Sequence, residues 1–221
     1  MLKAAAALSA RVEGLRLGRF FLTKELPVAS GLGGGSADAA AALRLLVHGN
    51  RQIFSRVDFT DSRLQQAALA VGTDVPVCLA SRARIMRGVG EELSDPLDLP
   101  HLPALLVNPG VPLSTRDVFA GFAAEQGGKS SLADVPRERD ALFDWLGAHG
   151  NDLTRSAIAC LPVVAEVLAA LRVLPAARLV RMSGSGPTCF ALFASSGEAA
   201  AAAQRLRAER KDWWVYPAII G

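Results

Sequence analysis

Residues 27–40 have the sequence Pro27-Val28-Ala29-Ser30-Gly31-Leu32-Gly33-Gly34-Gly35-Ser36-Ala37-Asp38-Ala39-Ala40. A segment with apolar residues at helical spacing follows, since Leu43, Leu46 and Val47 stand at i, i+3 and i+4. Glycine has no Cβ to block a ligand, and the first residues of a helix carry N–H groups without intrahelical partners. The stretch therefore predicts a loop that holds an anion, most suitably a polyphosphate, at the start of a helix.

Two polar residues stand at the end of this loop. The Ser36 hydroxyl can bond a phosphate oxygen or ligate Mg²⁺, or it can act only as the N-cap of the helix, and the residue pattern leaves both roles open. Asp38 is expected in the first helical turn, where its charge would repel a phosphate unless a cation lies between them. Its role stays open.

Two other classes of phosphate loop fit this stretch poorly. A Walker A loop ends in Gly-Lys-Ser or Gly-Lys-Thr, and the absence of lysine from Gly35-Ser36-Ala37 excludes that class. A dinucleotide loop needs a βαβ unit with an acidic residue about 20 positions further on. Asp58 and Asp61 are the nearest candidates, and they stand in no clear unit of that kind.

The remaining segments alternate between helical and extended patterns. Before the loop we expect a helix over residues 2–13 and strands around 15–17 and 20–22. After it, a helix containing Leu64, Ala68 and Val71 ends at Gly72, and Pro76 is expected to keep Val75 extended, which leaves Asp74 at a turn. Further elements are expected at the following positions: a strand at 104–107 that begins a new substructure near residue 99, helices at 139–148, 162–172 and 197–210, and strands at 178–182, 188–194 and 215–220. Residues 124–138 are expected to form a mobile surface loop.

The alternation of helical and extended segments along the chain predicts α/β or α+β layers.

Composition limits the classes of function. Of the 221 residues, 51% are hydrophobic and 20% are charged, which indicates a folded globular protein. The net charge of +3 comes from dispersed basic residues, so nucleic-acid binding is not favoured. No apolar run is long enough for a membrane helix or a secretory signal. Cys78, Cys160 and Cys189 lack zinc-site spacing, which predicts reduced, mostly buried thiols and a cytoplasmic location.

Three segments, in this order, resemble the motifs of the GHMP kinases. Residues 27–37 are similar to the motif that wraps the phosphates of ATP. Gly72-Thr73-Asp74-Val75-Pro76 resembles the segment that carries the catalytic aspartate, and Met182-Ser183-Gly184-Ser185-Gly186-Pro187-Thr188-Cys189-Phe190 resembles the third glycine-rich motif. The resemblance implies an ATP-dependent kinase of small molecules, with ATP and Mg²⁺ as cofactors.

Finer matches resemble one branch of this family, the diphosphocytidyl-methylerythritol kinases. They are Leu26-Pro27, Val107-Asn108-Pro109-Gly110 followed by Ser114-Thr115 and Phe119, and Asn151-Asp152-Leu153. The implied reaction is phosphorylation of the 2-hydroxyl of a cytidine-diphosphate-linked methylerythritol, on the methylerythritol phosphate route to isoprenoid precursors. Another GHMP kinase, of the mevalonate or homoserine type, is the alternative enzyme.

The resemblance also assigns roles to residues. Asp74 would be the catalytic base, and Ser36 would offer its hydroxyl to Mg²⁺. The ATP-binding residues would be Pro27, Ala29, Ser30, Gly31, Leu32, Gly33, Gly34, Gly35, Ser36 and Ala37. The substrate-binding residues would be Thr115, Phe119, Gly184, Ser185 and Gly186. Phe119 would stack on the cytosine, although a core phenylalanine fits the same pattern.

The implied fold is α+β, with an ATP-binding domain similar to ribosomal S5 domain 2 over residues 1–98 and a ferredoxin-like substrate domain over 99–221. No segment resembles the family's first motifs, which supply a lysine and the groups that hold cytosine, so the N-terminal domain is expected to be incomplete. An inactive nucleotide-binding fragment is therefore a further alternative. The expected assembly is a monomer or a weak dimer.

Overall fold

The computed structural model describes residues 1–54, 59–88, 90–122 and 135–221. The chain forms two compact units. The first unit contains residues 1–24 and 33–97, and the second contains residues 25–32 and 98–221. The division into domains 1–98 and 99–221 stays a prediction. In the described residues no helix has the length and apolarity needed to cross a membrane.

The helices and strands are grouped along the chain, as is typical of an α+β fold. The helices within the described ranges are α1 (Leu2–Ser9), α2 (Gly34–Gly49), α3 (Ser62–Val71), α4 (Val75–Ala80), α5 (Thr115–Ala120), α6 (Arg139–Ala148), α7 (Thr154–Cys160), α8 (Val163–Arg172) and α9 (Ser196–Glu209). The strands within them are β1 (Met86–Arg87), β2 (Glu92–Leu93), β3 (Leu102–Asn108), β4 (Leu179–Met182), β5 (Cys189–Leu192) and β6 (Trp214–Ile220).

The first unit is built from helices α1 to α4 around an alanine-rich core. Fully buried alanines such as Ala40 and Ala67 let the helices approach closely, and Leu8, Leu43 and Leu64 fill the space between them. The guanidinium of Arg44, on α2, donates to the carbonyl of Cys78 at 2.7 Å and ties α2 to the end of α4. The helical stripes expected after the glycine loop and after residue 62 are confirmed.

Two expectations about the first 22 residues are wrong. Helix α1 ends at Ser9 rather than at residue 13, because the N–H of Arg11 bonds the carbonyl of Leu8 and tightens the chain into a turn. Residues 15–17 and 20–22 form no strand. The buried Asn50 side chain instead accepts from the Arg16 N–H at 2.9 Å and donates to the Arg16 carbonyl at 3.0 Å, which satisfies this backbone without a partner strand.

The break before residue 76 is confirmed, but its geometry differs from the expectation. Val75 is the first residue of α4 rather than an extended residue, and Pro76 occupies the second position of that helix. Proline is tolerated there because the first N–H groups of a helix need no intrahelical acceptor. Asp74 consequently lies at the N-cap, directly at the turn where the sequence predicts it.

The second unit contains a four-stranded antiparallel sheet with the strand order β4-β5-β3-β6. The strands, together with the helices between them, follow a β-α-β-β-α-β order, which is ferredoxin-like and confirms the expected architecture. Strand β3 is central and buried on both faces. Leu105 and Val107 pack with α8 and α9 on one face, while Leu102 and Ala104 pack with α6 on the other.

The second half of the chain agrees closely with the expected elements. The strands near 104–107, 178–182, 188–194 and 215–220 and the helices near 139–148, 162–172 and 197–210 are all present. Helices α5 and α7 and the short pair β1 and β2 were not anticipated, because each has seven residues or fewer and too few turns to show a periodicity. Most of the surface loop expected at 124–138 lies outside the described residues.

The three thiols are free, as predicted, but the expectation that they are mostly buried is wrong, because Cys189 is buried, Cys78 is partly buried and Cys160 is exposed. Cys189 lies in the core of the second unit, where burial raises the pKa of its thiol to about 12 from an ordinary 9.0. The folded state therefore favours the protonated thiol. This contribution to stability is complete below pH 9 and is lost as the pH rises toward 12.

We expect the stability of the protein to fall in this alkaline range because of Cys189. Between pH 9.0 and 10.5 the free energy of unfolding of the protein should decrease by about 1.6 kcal/mol more than that of a Cys189→Ala variant, because the slope approaches about 1.4 kcal/mol per pH unit only once the unfolded thiol is fully ionised. Urea denaturation at the two pH values measures the difference. Cys160→Ala, at an exposed thiol, is the control and should behave as the unmodified protein. Parallel pH dependence in Cys189→Ala would contradict the prediction.

Candidate active site

The glycine-rich loop enters α2 through Gly33, which is the N-cap and has a left-handed backbone with φ of 66°. The helix begins at Gly34, and the Ala37 N–H closes its first turn on the Gly33 carbonyl at 2.9 Å. A Cβ placed on Gly33 or Gly35 would meet no atom within 4 Å. The backbone at the start of α2 is therefore open to an incoming group of atoms, as a phosphate cradle requires.

Ser36 is the third residue of α2, and the alternative that it is the N-cap is wrong. Within the described residues no side chain caps this helix. The Ser36 side chain is half-buried at the open end of the helix. Its hydroxyl is thus free of the capping role that the sequence left open.

Asp38 lies one position beyond the first turn of α2, where it pairs with a lysine. Lys24 Nζ lies 2.6 Å from Asp38 Oδ2, and about a quarter of each side chain is exposed, 28% and 25% respectively. The positive charge of the lysine offsets the negative charge of this carboxylate near the start of α2. The sequence raised the need for such a cation but did not identify Lys24.

Asp74 is exposed at the N-cap of α4, and within the described residues its carboxylate accepts no capping hydrogen bond. Its Oδ1 accepts a long hydrogen bond, 3.5 Å, from the hydroxyl of the neighbouring Thr73. Burial, and then the negative charge of Asp74, raise the pKa of the Cys78 thiol one turn further along. The carboxylate is therefore exposed to solvent, and its charge raises the pKa of a neighbouring side chain.

The second unit contains the first residues of the glycine-rich loop and the whole third motif. The Thr188 N–H donates to the Ser30 carbonyl at 3.2 Å, and Ser183 Oγ donates to the Gly31 carbonyl at 2.9 Å. A Cβ on Gly31 would lie 2.4 Å from the carbonyl oxygen of Gly186. Residues 29–31 and 183–188, named here the paired loops, therefore contact each other through their backbones, and only glycine fits at position 31.

Two of the predicted substrate-binding residues, one on α5 and one within the paired loops, are in contact. Thr115 Oγ1 lies 2.9 Å from Ser185 Oγ, at the start of α5. Gly184 and Gly186 both have positive φ angles, 51° and 81°, so the turn that presents Ser185 depends on glycine. Phe119 is 55% exposed on α5, which excludes the alternative of a core phenylalanine.

The remaining predicted residues divide between the two units. The stretch 27–40 passes from the second unit to the first between Leu32 and Gly33, so Pro27 and Ala29 belong with the third motif. Of the two acidic residues considered for a dinucleotide loop, Asp61 caps α3 and pairs with Arg63 at 2.6 Å. Asp58 lies outside the described residues.

Sequence reasoning did not assign two asparagines that the structure connects to the third motif. Asn108 Nδ2 donates to Thr188 Oγ1 at 2.8 Å, and Asn151 Nδ2 donates to the carbonyls of Met182 and Gly184 at 2.9 and 2.8 Å. Both asparagines stand in segments that resemble the family. No periodicity or spacing indicates such bonds, because each joins residues more than 30 positions apart.

The electrostatic character of the site comes from single residues rather than from a carboxylate cluster. In the described ranges no group of three or more His, Cys, Asp or Glu side chains is arranged to hold a metal ion. A protein-only metal cage is thus not a feature of these ranges. Mg²⁺ that binds mainly through phosphate oxygens, with one or two protein ligands, needs no such cage.

Two family models match the chain. The model described as the GHMP kinases N terminal domain matches residues 1–82, and the GHMP kinases C terminal model matches residues 137–212. These matches contain all of α2, Asp74 and the third motif. The N-terminal model matches the first part of the chain and the C-terminal model matches the last part, so the two models occur in their expected order.

Curated relatives extend the match over almost the whole chain. The 4-diphosphocytidyl-2-C-methyl-D-erythritol kinase of Rhodopseudomonas palustris strain BisB5 is 49% identical, over 98% of this chain and 75% of its own. The protein of the same name from Nitrobacter hamburgensis is 50% identical, over 98% of this chain and 72% of its own. The chain thus spans about three quarters of the length of these relatives.

Solved structures agree with these matches. A crystal structure of 4-(cytidine 5'-diphospho)-2C-methyl-D-erythritol kinase superposes with a TM-score of 0.77 and 33% identity, over 99% of this chain and 78% of the other. The homoserine kinase of Cytophaga hutchinsonii, with a TM-score of 0.57 and 22% identity, shares the fold. The chain therefore belongs to the GHMP kinases, which are ATP-dependent small-molecule kinases, and within them to the 4-diphosphocytidyl-2-C-methyl-D-erythritol kinase family.

Proposed function

We propose that the chain transfers the terminal phosphoryl group of ATP to the 2-hydroxyl of 4-diphosphocytidyl-2-C-methyl-D-erythritol, as a cytoplasmic step toward isoprenoid precursors. The open backbone at Gly33 and Gly35 is the observation that carries this proposal, because phosphoryl transfer depends mainly on positioning and on neutralising phosphate charge. The substrate follows from the names of relatives that are 49% and 50% identical.

The start of α2 is proposed to hold the phosphates. Its unpaired N–H groups and the positive end of the helix dipole attract an anion, and the glycines let the backbone approach it. Pairing with Lys24 limits the repulsion from Asp38. Mg²⁺, bound to the phosphates and to the Ser36 hydroxyl, would supply charge neutralisation at the transferred group.

Asp74 is proposed to accept the proton of the substrate hydroxyl. Asp74 is exposed at the N-cap of α4 and makes no capping hydrogen bond within the described residues. Its carboxylate is therefore available to a ligand, which supports this role. A carboxylate is a weak base toward an alcohol, so the proton is expected to leave late, as the new P–O bond forms. The side chain then acts on the hydroxyl alone and needs no covalent intermediate.

The third motif and α5 are proposed to bind the alcohol substrate. The hydroxyls of Thr115 and Ser185 are hydrogen-bonded to each other at 2.9 Å, so one of them keeps its hydrogen for donation to a diphosphate oxygen. The exposed ring of Phe119 offers a face on which cytosine can stack, an interaction of about 1–3 kcal/mol per base.

A substrate comparison tests the proposed function. The purified chain is incubated with MgATP and, in separate reactions, the cytidine-linked alcohol, mevalonate or homoserine, and release of ADP is followed. We expect turnover with the cytidine-linked alcohol and none above background with the other two. Turnover of homoserine or mevalonate would redirect the assignment to another GHMP kinase. ATP binding without turnover of any of the three would favour a nucleotide-binding fragment.

A further inference from the structure

The paired loops need an external support, because their own turn is held by few hydrogen bonds. The Gly186 N–H donates to the Ser183 carbonyl at 2.8 Å, and the Ser183 N–H donates to the Thr188 carbonyl at 2.9 Å. Gly184 and Gly186 have positive φ angles and no side chains to pack, and because glycine has no Cβ, a loosely held turn has many alternative conformations. A side chain that binds the outer carbonyls of this turn would select one conformation.

Asn151 provides such a side chain. Its Nδ2 donates one hydrogen to the Met182 carbonyl, just before the turn, and the other to the Gly184 carbonyl within it. Its Oδ1 accepts from the Leu153 N–H at 3.0 Å. That acceptor bond determines the orientation of the amide, because an N–H can meet only the oxygen, so both amide hydrogens face the turn.

We infer that Asn151 is a positioning residue that holds the paired loops in their binding geometry. The inference rests on the proposed function, in which residues 29–31 belong to the ATP loop and Ser185 contacts the substrate. Because Gly31 lies against Gly186 without room for a methyl group, a displacement of the 183–188 turn is passed directly to residues 30 and 31. Loss of the amide donors should therefore misalign groups on both loops while the core, which is made of other residues, remains packed.

Asn151→Asp tests the two donors. The shape and the bond from Leu153 are kept, but at neutral pH a carboxylate faces two carbonyl oxygens and repels them. We expect kcat to fall by about 10- to 100-fold, the scale expected when reacting groups are displaced by about 1 Å. The affinity for MgADP, measured by calorimetry, should weaken about 3- to 10-fold, which is near the lower limit of the roughly 5- to 150-fold range of typical coupling between sites. The melting temperature should fall by less than about 5 °C.

The pH dependence separates positioning from a general loss of stability. A carboxyl group that faces two oxygens holds its proton more tightly than an exposed one, and once protonated it can donate to one of the carbonyls. The ratio of the Asn151→Asp rate to the unmodified rate should therefore rise as the pH is lowered from 7.5 to about 5.5. Asn151→Ala removes the donors without adding a titrating group, so its ratio should be low and independent of pH.

Asp152→Asn is the matched control, since it exchanges the same two side chains at the exposed neighbouring position. It should leave kcat, MgADP affinity and melting temperature unchanged. If Asn151→Asp has the same kcat and MgADP affinity as the unmodified protein, the inference is overturned. It is also overturned if neither Asn151 variant folds, because Asn151 would then be needed for stability rather than for positioning. If the unmodified protein does not phosphorylate the alcohol, the proposed function fails, and the MgADP affinities of the Asn151 variants still decide the inference.

Discussion

Replacement of Gly35 by valine is expected to weaken ATP binding by about 100-fold or more without destabilising the protein. A side chain at position 35 would enter the open space over the first turn of α2, where the phosphates are proposed to lie. The loss of two hydrogen bonds to a charged group, at about 1.5–3 kcal/mol each, corresponds to this factor or a larger one. Calorimetric titration with MgADP or a non-hydrolysable ATP analogue measures the loss.

The same helix offers a matched control for Gly35→Val. Gly49 is the last residue of α2, is exposed, and also has no atom within 4 Å of a built Cβ. Gly49→Val should fold and bind nucleotide like the unmodified protein. Because valine has a higher helix propensity than glycine, neither variant should melt at a lower temperature. Equal nucleotide affinity in the two variants would show that the start of α2 does not hold the phosphates.

Asp74→Asn is expected to reduce turnover by about 10²- to 10⁴-fold, the usual contribution of a general base. The amide keeps the shape of the side chain and removes its charge, so nucleotide affinity should stay within a factor of about three. Release of ADP in the presence of the cytidine-linked alcohol gives the rate. Undiminished turnover would exclude Asp74 as the base.

Asp61→Asn controls for the same exchange at another helix N-cap of the first unit. Asp61 accepts the capping bond of α3 from the Arg63 N–H, and the guanidinium of Arg63, first through its side-chain hydrogen bond, lowers the pKa of that carboxyl. Its replacement should cost some stability and leave turnover unchanged. We therefore expect Asp61→Asn to lower stability but not turnover, and Asp74→Asn to lower turnover. The reason is that Asp61 caps its helix, whereas Asp74 makes no capping bond within the described residues.

The reactivity of the Cys78 thiol gives a measure of the charge at Asp74 that does not depend on enzymatic activity. The negative charge of Asp74 contributes, after burial, to the raised pKa of Cys78. Removal of that charge in Asp74→Asn should lower the Cys78 pKa, so alkylation of Cys78 at pH 8 should become faster. Peptide mass spectrometry distinguishes Cys78 from the exposed Cys160, whose alkylation should not change.

Local patterns in the sequence determined the elements that depend on neighbouring residues. The stripe of Leu43, Leu46 and Val47 specifies α2, and the continuous apolar run at 104–107 specifies the central strand β3, because burial on one or both faces leaves a periodic signature. The glycine-rich loop and the turn at Asp74 could likewise be predicted from the sequence. Glycine and proline restrict or release the backbone wherever they occur, so their effects need no tertiary partner.

Only the tertiary structure decided the features that depend on distant residues. Residues 15–17 form no strand because the Asn50 side chain, 34 positions from Arg16, takes the hydrogen bonds that a strand would need. Lys24 pairs with Asp38 across the glycine loop, and Asn151 binds carbonyls 31 and 33 positions away. Such polar bonds follow from how the chain returns on itself, and polar residues at single positions have no periodicity from which this return could be predicted.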